Sequence, residues 1–396
     1  MFLSLIVFFV ILSSLILIHE FGHFYVAKKS GVKVYEFGLG LPPKIFGKKI
    51  GETEYTINLL PIGGFVRIEG EDPNEPVKDE KHNFQFKPAY IRLSILLAGV
   101  FMNTILGIFL FYFYFIFNGF VSNPVVKFTD FNFILAKNRQ VETVITAVTK
   151  KELESKLKPG DVVVNAYDGD KTLTNINEKD LLKANNSKLI FYLSNLKVKD
   201  FQDFVDKSEG PIVLLLYNLQ AKNTHQELVY PEYSKQYNRK LIGLGLDSVI
   251  FLDYSYGFFP KLLSGVAHAY NMLGYSIKAF GELIYKSFVK RDVGIVSSGV
   301  SGPVGIYSVV SIVLNSNAPS IFWTLIDLTA LLSLSLAFMN LLPIPALDGG
   351  RAIFVLYEAI TKKKVNPQVE SWLHRAGMAF LILLLILITL KDILYS

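Results

Sequence analysis

Hydrophobic and polar positions divide this chain into long apolar runs and one long polar insert. Phe2 to Ile18 is apolar apart from three Ser, and the helix it predicts can continue through Phe24 to Ala27. Ile91 to Phe117 predicts a second span, with no charge between Arg92 and Lys127. Trp323 to Leu342 predicts a third, interrupted only by Asp327, and Met378 to Leu390 a short fourth closed by Lys391. A signal peptide is the rival reading of the first run. No Lys or Arg precedes it and Lys28-Lys29 follow it, the reverse of a signal peptide's flanks, so it reads as a retained span. In the insert, Val141–Thr149, Asp161–Ala166, Lys188–Leu193, Ile212–Tyr217 and Glu227–Tyr230 read as short strands broken by turn residues. From about 255 to 290 the period becomes helical: Phe258, Leu262, Val266, Leu273, Ile277, Phe280 and Ile284 alternate with Lys261, Lys278 and Lys286. A core helix would show such a stripe, and so would an aromatic, cationic helix lying in a membrane interface.

These boundaries predict two spans in residues 1–121, an external strand-rich domain in 122–248, an amphipathic region in 249–320 and two further spans in 321–396. Composition agrees. With 51% hydrophobic and 19% charged residues the chain is neither an ordinary soluble enzyme nor a disordered protein, yet 40 Lys+Arg and 34 Asp+Glu need water somewhere. The net charge of +6 matters by position. Lys28, Lys29, Lys33, Lys87 and Arg92 flank the first interspan loop; Arg351, Lys362, Lys363, Lys364 and Arg375 occupy the last. By the positive-inside rule both loops are cytoplasmic, and both termini and the insert lie outside. The basic residues form no patch that would suit a nucleic acid. There is no Cys, so any metal site must use His and carboxylate.

Such a site is in view. His19-Glu20-Phe21-Gly22-His23 is an H-E-x-x-H sequence at the end of a helical span. Two His four apart share one helix face and can reach one zinc ion, with the Glu between them placed to act on water. Ionisable groups at membrane depth are functional candidates by default. A catalytic zinc takes three protein ligands, so a third is needed. Asp327 and Asp348 are the candidates. The first and third spans run in the same direction, so their C-terminal ends share a depth; Asp348 follows that end, while Asp327 lies roughly 30 Å back along a helix. Asp348 is the expected third ligand. Pro343 and Pro345 would break the helix beside it, and Gly349-Gly350 would let the backbone turn close to the metal.

These residues resemble the site-2 proteases, intramembrane zinc metalloproteases, and in particular the bacterial branch that cleaves anti-sigma factors. The first motif is His19–His23 followed by Gly31-Val32-Lys33-Val34. The second, N-x-x-P-x-P-x-L-D-G, is Asn340 to Gly349. Ser301-Gly302-Pro303-Val304-Gly305 is similar to a third stretch of that branch, and Tyr55 to Gly70 to its membrane-associated β-hairpin. The resemblance implies His19, His23 and Asp348 as Zn2+ ligands and Glu20 as general base. It places Asn340, Pro343, Gly63 and Gly64 at the substrate. Gly99 and Asn103 sit where the family has a small-residue motif, with Val100 where many relatives have Pro; this implies packing only. Leu157-Lys158-Pro159-Gly160-Asp161 and the strand after it are similar to the carboxylate-loop region of a PDZ domain, and the insert has room for one. The implied fold is a polytopic α-helical membrane protein with four transmembrane helices, a membrane-associated β-hairpin and one inserted PDZ-like α+β domain. The implied setting is the bacterial cytoplasmic membrane, with the zinc near the cytoplasmic side. The implied partners are the lipid bilayer, single-pass membrane proteins as substrates, and a peptide ligand at the PDZ-like domain. Two other classes remain: a membrane-anchored zincin acting on soluble unfolded proteins, and a transporter or scaffold with the His pair as an ion site. A transporter should carry paired interrupted spans; only the 343–350 segment qualifies.

Overall fold

A computed structural model of the chain describes residues 2–71, 79–150, 152–153, 155–157, 160–169, 171–184, 186–218, 223–235, 238–292, 294, 300–315, 321–363 and 365–395. Lys158 and Pro159 of the PDZ-like stretch lie outside them. Helix α1 (Phe2–Lys29) is followed by strands β1 (Val34–Ile50) and β2 (Thr53–Ile68), then by α2 (Ala89–Phe117). The insert contains β3 (Val125–Val126), β4 (Lys137–Val148), β5 (Asp161–Asp168), β6 (Lys171–Thr172), α3 (Glu178–Lys183), α4 (Asn186–Leu193), α5 (Val198–Lys207), β7 (Ile212–Asn218), β8 (Asn223–Val229), β9 (Glu232–Ser234), β10 (Arg239–Leu241) and β11 (Leu244–Asp253). Then come α6 (Phe258–Leu262), α7 (Ser264–Lys290), α8 (Pro303–Asn315), α9 (Ile321–Leu341), α10 (Asp348–Thr361) and α11 (Pro367–Tyr395). Among the described residues, four helices are long and apolar enough to cross a membrane: Phe2–Lys29, Ala89–Phe117, Ile321–Leu341 and Pro367–Leu394.

The chain divides into two compact units. The first comprises Met1–Leu110, Met272–Leu314 and Leu328–Ser396. In it the hairpin is longer than the Tyr55–Gly70 stretch predicts, because that stretch supplies only the second strand. Glu36 to Leu39 of β1 pairs with Gly64–Arg67 on one side and Glu54–Ile57 on the other, while Lys44–Ile50 pairs back onto Thr53–Asn58. Thr53 Oγ1 donates to Val34 O (2.9 Å) and Asn58 Nδ2 to Gly40 O (3.0 Å), which closes the sheet at both ends. Ala27, Val32, Val34, Ile68 and Ile95 form a buried cluster that fixes the end of α1 against the hairpin base and the start of α2. The Ser301–Gly305 stretch is held from the C-terminus: Asp392 Oδ2 accepts from the Gly302 and Gly305 N–H groups (2.8 and 3.0 Å) at the start of α8.

The second unit comprises Phe111–Asn271 and Asn315–Asp327. Its sheet runs β3-β11-β4-β5-β7-β8, all antiparallel, with β6 paired to β5. Central β5 is buried on both faces, so its sequence shows no alternation. Val162 and Val164 pack with Leu181 of α3 and Leu193 of α4; Val163 packs with Phe201 and Val205 of α5. The predicted strand Lys188–Leu193 is therefore wrong: it lies in α4. A short apolar run has no period that separates a strand from a buried helix. β11 continues to Asp253, past the boundary drawn at 248, and helix begins at Phe258. Asn165 holds the segment after β5: Nδ2 donates to Thr174 O (2.8 Å) and Ile176 O (3.0 Å), and Oδ1 accepts from the Ala166 and Thr174 N–H groups (2.8 Å each). Asn165→Leu leaves these groups unpaired and is expected to cost about 1–3 kcal/mol, read by thermal unfolding.

On α7, Ala267, His268, Asn271, Met272 and Tyr275 are buried, while Ile277, Phe280, Ile284, Tyr285 and Phe288 stay exposed. That aromatic face accompanies Lys278 and Lys286, a pattern that suits an interfacial helix.

Candidate metal centre

The site forms on the first unit, from three elements far apart in sequence. Roughly 25 Å of apolar helix precedes His19 on α1. His19 is 6% exposed. The third group comes from the break after α9. That helix ends at Leu341, and Pro343 and Pro345 keep the chain out of helix until Asp348 opens α10. Two turn bonds, Ile344 N–H to Leu342 O (2.7 Å) and Leu347 N–H to Ile344 O (3.1 Å), carry the backbone around. Ala346 is held at φ 84°, a left-handed conformation disfavoured for any residue with a Cβ. Gly349 and Gly350 are helical and make no turn. They are needed for packing: a Cβ on Gly349 would strike the Leu341 and Leu342 carbonyls, and one on Gly350 that of Ile344.

This turn brings Asp348 to the histidines. His19 Nε2 lies 3.0 Å from Asp348 Oδ2, His23 Nε2 lies 3.4 Å from the same oxygen, and the two Nε2 atoms are 3.2 Å apart. Tetrahedral zinc with bonds of about 2.0–2.1 Å sets its ligand atoms about 3.3 Å from one another. The three donors fit that ion with little movement, and among the described residues they are the one His/Asp/Glu group so arranged. The His23 Nδ1–H donates to Ile95 O (2.7 Å), which leaves the Nε2 lone pair facing the other two donors. Glu20 is within electrostatic reach of His23, His19 and Asp348.

Gly99 of α2 has more than a packing role. A Cβ there would lie 2.5 Å from both His19 Cε1 and His23 Nε2. Asn103, one turn on, is fully buried with its Nδ2 3.5 Å from His19 Nδ1. Sequence reasoning did not find either contact, since an apolar helix gives no spacing signal for a neighbour on another helix. Gly63 and Gly64 lie against α1: a Cβ on Gly63 would sit 3.7 Å from the Ile16 side chain, and one on Gly64 3.6 Å from Glu20 Cγ. Asn340 does not point away from its own helix; its Nδ2 donates to Leu336 O (3.1 Å). Pro343 lies between α9 and α10. A cavity of about 280 Å³ next to the Asp348 loop is lined by Arg67, Glu71, Pro345, Gly350, Arg351 and His374, among others, and Arg351 Nη1 donates to Glu71 Oε1 (2.8 Å).

Asp327, the other candidate third ligand, and three further histidines have separate partners. Asp327 accepts from Asn123 Nδ2 (2.9 Å) in the second unit. His82 pairs with Asp79 (2.6 Å) and His225 with Asp161 (3.5 Å). His268 Nδ1 is 3.2 Å from the Tyr254 hydroxyl, and burial brings its pKa down to about 3.

The pattern that defines peptidase family M50 matches residues 7–384. The chain belongs to this family. Proteins described as zinc metalloproteases are similar to it over nearly the whole chain. One from Clostridium acetobutylicum is 32% identical, covering 96% of this chain and 94% of its own. One from Fusobacterium nucleatum is 30% identical, covering 97% and 96%, and one from Clostridium perfringens is 29% identical, covering 97% and 96%. This M50 chain is a membrane protein and a zinc metalloprotease.

Proposed function

We propose that this protease hydrolyses peptide bonds of membrane-spanning proteins at membrane depth, with His19, His23 and Asp348 as the zinc ligands and Glu20 as general base. The convergence of those three donors within 3.0–3.4 Å is the observation that carries this reading. Zinc, when bound, supplies Lewis acidity at the scissile carbonyl and makes water acidic enough to attack near neutral pH. Glu20 takes a proton from the attacking water as its oxygen bonds to the carbonyl carbon. It then delivers that proton to the amide nitrogen as the C–N bond breaks.

A helical substrate hides its carbonyls in internal hydrogen bonds, so the cut segment must be held extended. The Gly63–Gly64 backbone beside Glu20 suits that task, by adding the substrate as a strand. Asn340 would help by leaving its bond to Leu336 for the unwound backbone, next to Pro343. Anti-sigma factors and signal-peptide remnants are the substrate types this predicts. The basic interspan loops favour a bacterial cytoplasmic membrane setting, with the zinc near the cytoplasmic side and both termini and the insert outside. The insert is then a PDZ-like size filter or sensor that takes a peptide ligand. The exposed face of α7 rests on lipid.

Purified full-length protein in proteoliposomes tests this. Chelation should abolish cleavage of a membrane-spanning substrate and added zinc should restore it, while a soluble unfolded protein stays intact. Cleavage of the soluble protein alone would favour the anchored-zincin reading. Replacing 124–251 by a short linker should relax selectivity and keep hydrolysis; loss of all cleavage in a folded, zinc-loaded variant would refute that division of labour.

A further inference from the structure

We infer that Asn103 is a positioning residue for the metal, whose side-chain amide turns over when zinc binds and accepts a hydrogen bond from the His19 Nδ1–H. The inference rests on the reading of His19 as a ligand. Asn103 is wholly buried on α2, and Ser333 Oγ donates to its backbone carbonyl (2.8 Å), so the packing of α2 on α9 is secured by the main chain. The side chain is left for another task. Its Nδ2 faces His19 Nδ1 at 3.5 Å, while its Oδ1 is buried with no hydrogen-bond partner among the described residues.

The proton positions on His19 decide which end of the amide is wanted. Without metal, Nε2–H donates to Asp348 Oδ2 at 3.0 Å, so Nδ1 is an acceptor and properly meets the amide N–H. A zinc ion takes the Nε2 lone pair, and the ring proton must then sit on Nδ1. Nδ1–H would face a second donor unless the amide reverses. The reversal is a half-turn about a broad, two-fold torsion between ends of similar shape. It breaks no bond at Oδ1, because Oδ1 makes none. His23 needs no such device, since the Ile95 carbonyl accepts from its Nδ1–H throughout. Such outer partners commonly change metal affinity by about 10–100-fold.

Zinc affinity of the purified full-length protein, measured by competition with a chromophoric chelator, tests the inference through four chains: wild type, Asn103→Leu, Asn103→Asp and His19→Ala. Leucine keeps the volume and removes the acceptor; aspartate keeps only acceptors. Asn103→Leu should bind zinc about 10–100-fold more weakly, in protein that still folds without metal. Asn103→Asp should bind at least as tightly as wild type. Equal affinity of Asn103→Leu and wild type beside a weakened His19→Ala would overturn the inference alone. Unchanged affinity in His19→Ala would overturn the ligand assignment and the inference with it. If the leucine variant does not fold, Asn103→Asp still decides, because weaker binding there means that the site wanted a donor.

Discussion

Glu20→Gln is expected to bind zinc as the wild type does and to cleave a membrane-spanning substrate about 10²–10⁴-fold more slowly, the usual worth of a positioned general base. Zinc content and cleavage rate are measured on the same preparation. The separation of the two readouts follows from geometry. Glu20 is not among the three converging donors, so its carboxylate is not needed to hold the ion. It nevertheless sits between both histidines in sequence and within electrostatic reach of them and of Asp348. Glutamine preserves shape and removes the basic oxygen. A Glu20→Gln protein that cleaves at the wild-type rate would show that another group moves the proton. One that lost its zinc would show instead that Glu20 is a ligand.

Gly99→Ala should be the other large effect, and it should act on the metal before the chemistry. The added methyl carbon would stand 2.5 Å from an atom of each imidazole, closer than non-bonded carbon and nitrogen approach, so at least one ring must leave its place. Zinc affinity is expected to fall by about 10²-fold or more, as when ligand geometry is lost, and proteolysis with it. Gly107→Ala is the control on the same helix. There the added carbon meets Leu334 Cγ at 2.9 Å and Cδ2 at 3.0 Å and the Ala330 carbonyl at 3.2 Å, so it strains the packing of a leucine and touches no imidazole. Retention of full zinc by Gly99→Ala would mean that α2 lies further from the histidines.

What could be read from the sequence follows from how each signal is written. H-E-x-x-H is legible because helix geometry alone joins its members. Asp348 is legible because charge asymmetry orders the spans, and a proline-interrupted turn is rare in them. Contacts made between helices were not legible. Nothing in the apolar stretch around Gly99 and Asn103 says that they face imidazoles, and Asp392 gives no hint of holding the Gly302 and Gly305 N–H groups. The hairpin's first strand also escaped notice, since Gly38, Gly40, Pro42 and Pro43 interrupt any alternation in β1. In the insert, Lys188–Leu193 shows that β-branched and aromatic residues do not make a strand where Leu193 can be buried under a sheet by a helix.

The proposed ligand triad has a consequence for assembly. His19 and Asp348 are 329 residues apart, so an ion held by both closes a loop comprising most of the chain. In an unstructured chain a closure of that length would cost on the order of 5 kcal/mol in entropy. The folded spans meet much of that cost before any metal arrives. A cut in the insert would leave the histidines on one fragment and the aspartate on the other. The ion would then be the joint between two polypeptides, and separately expressed halves should need each other to retain it.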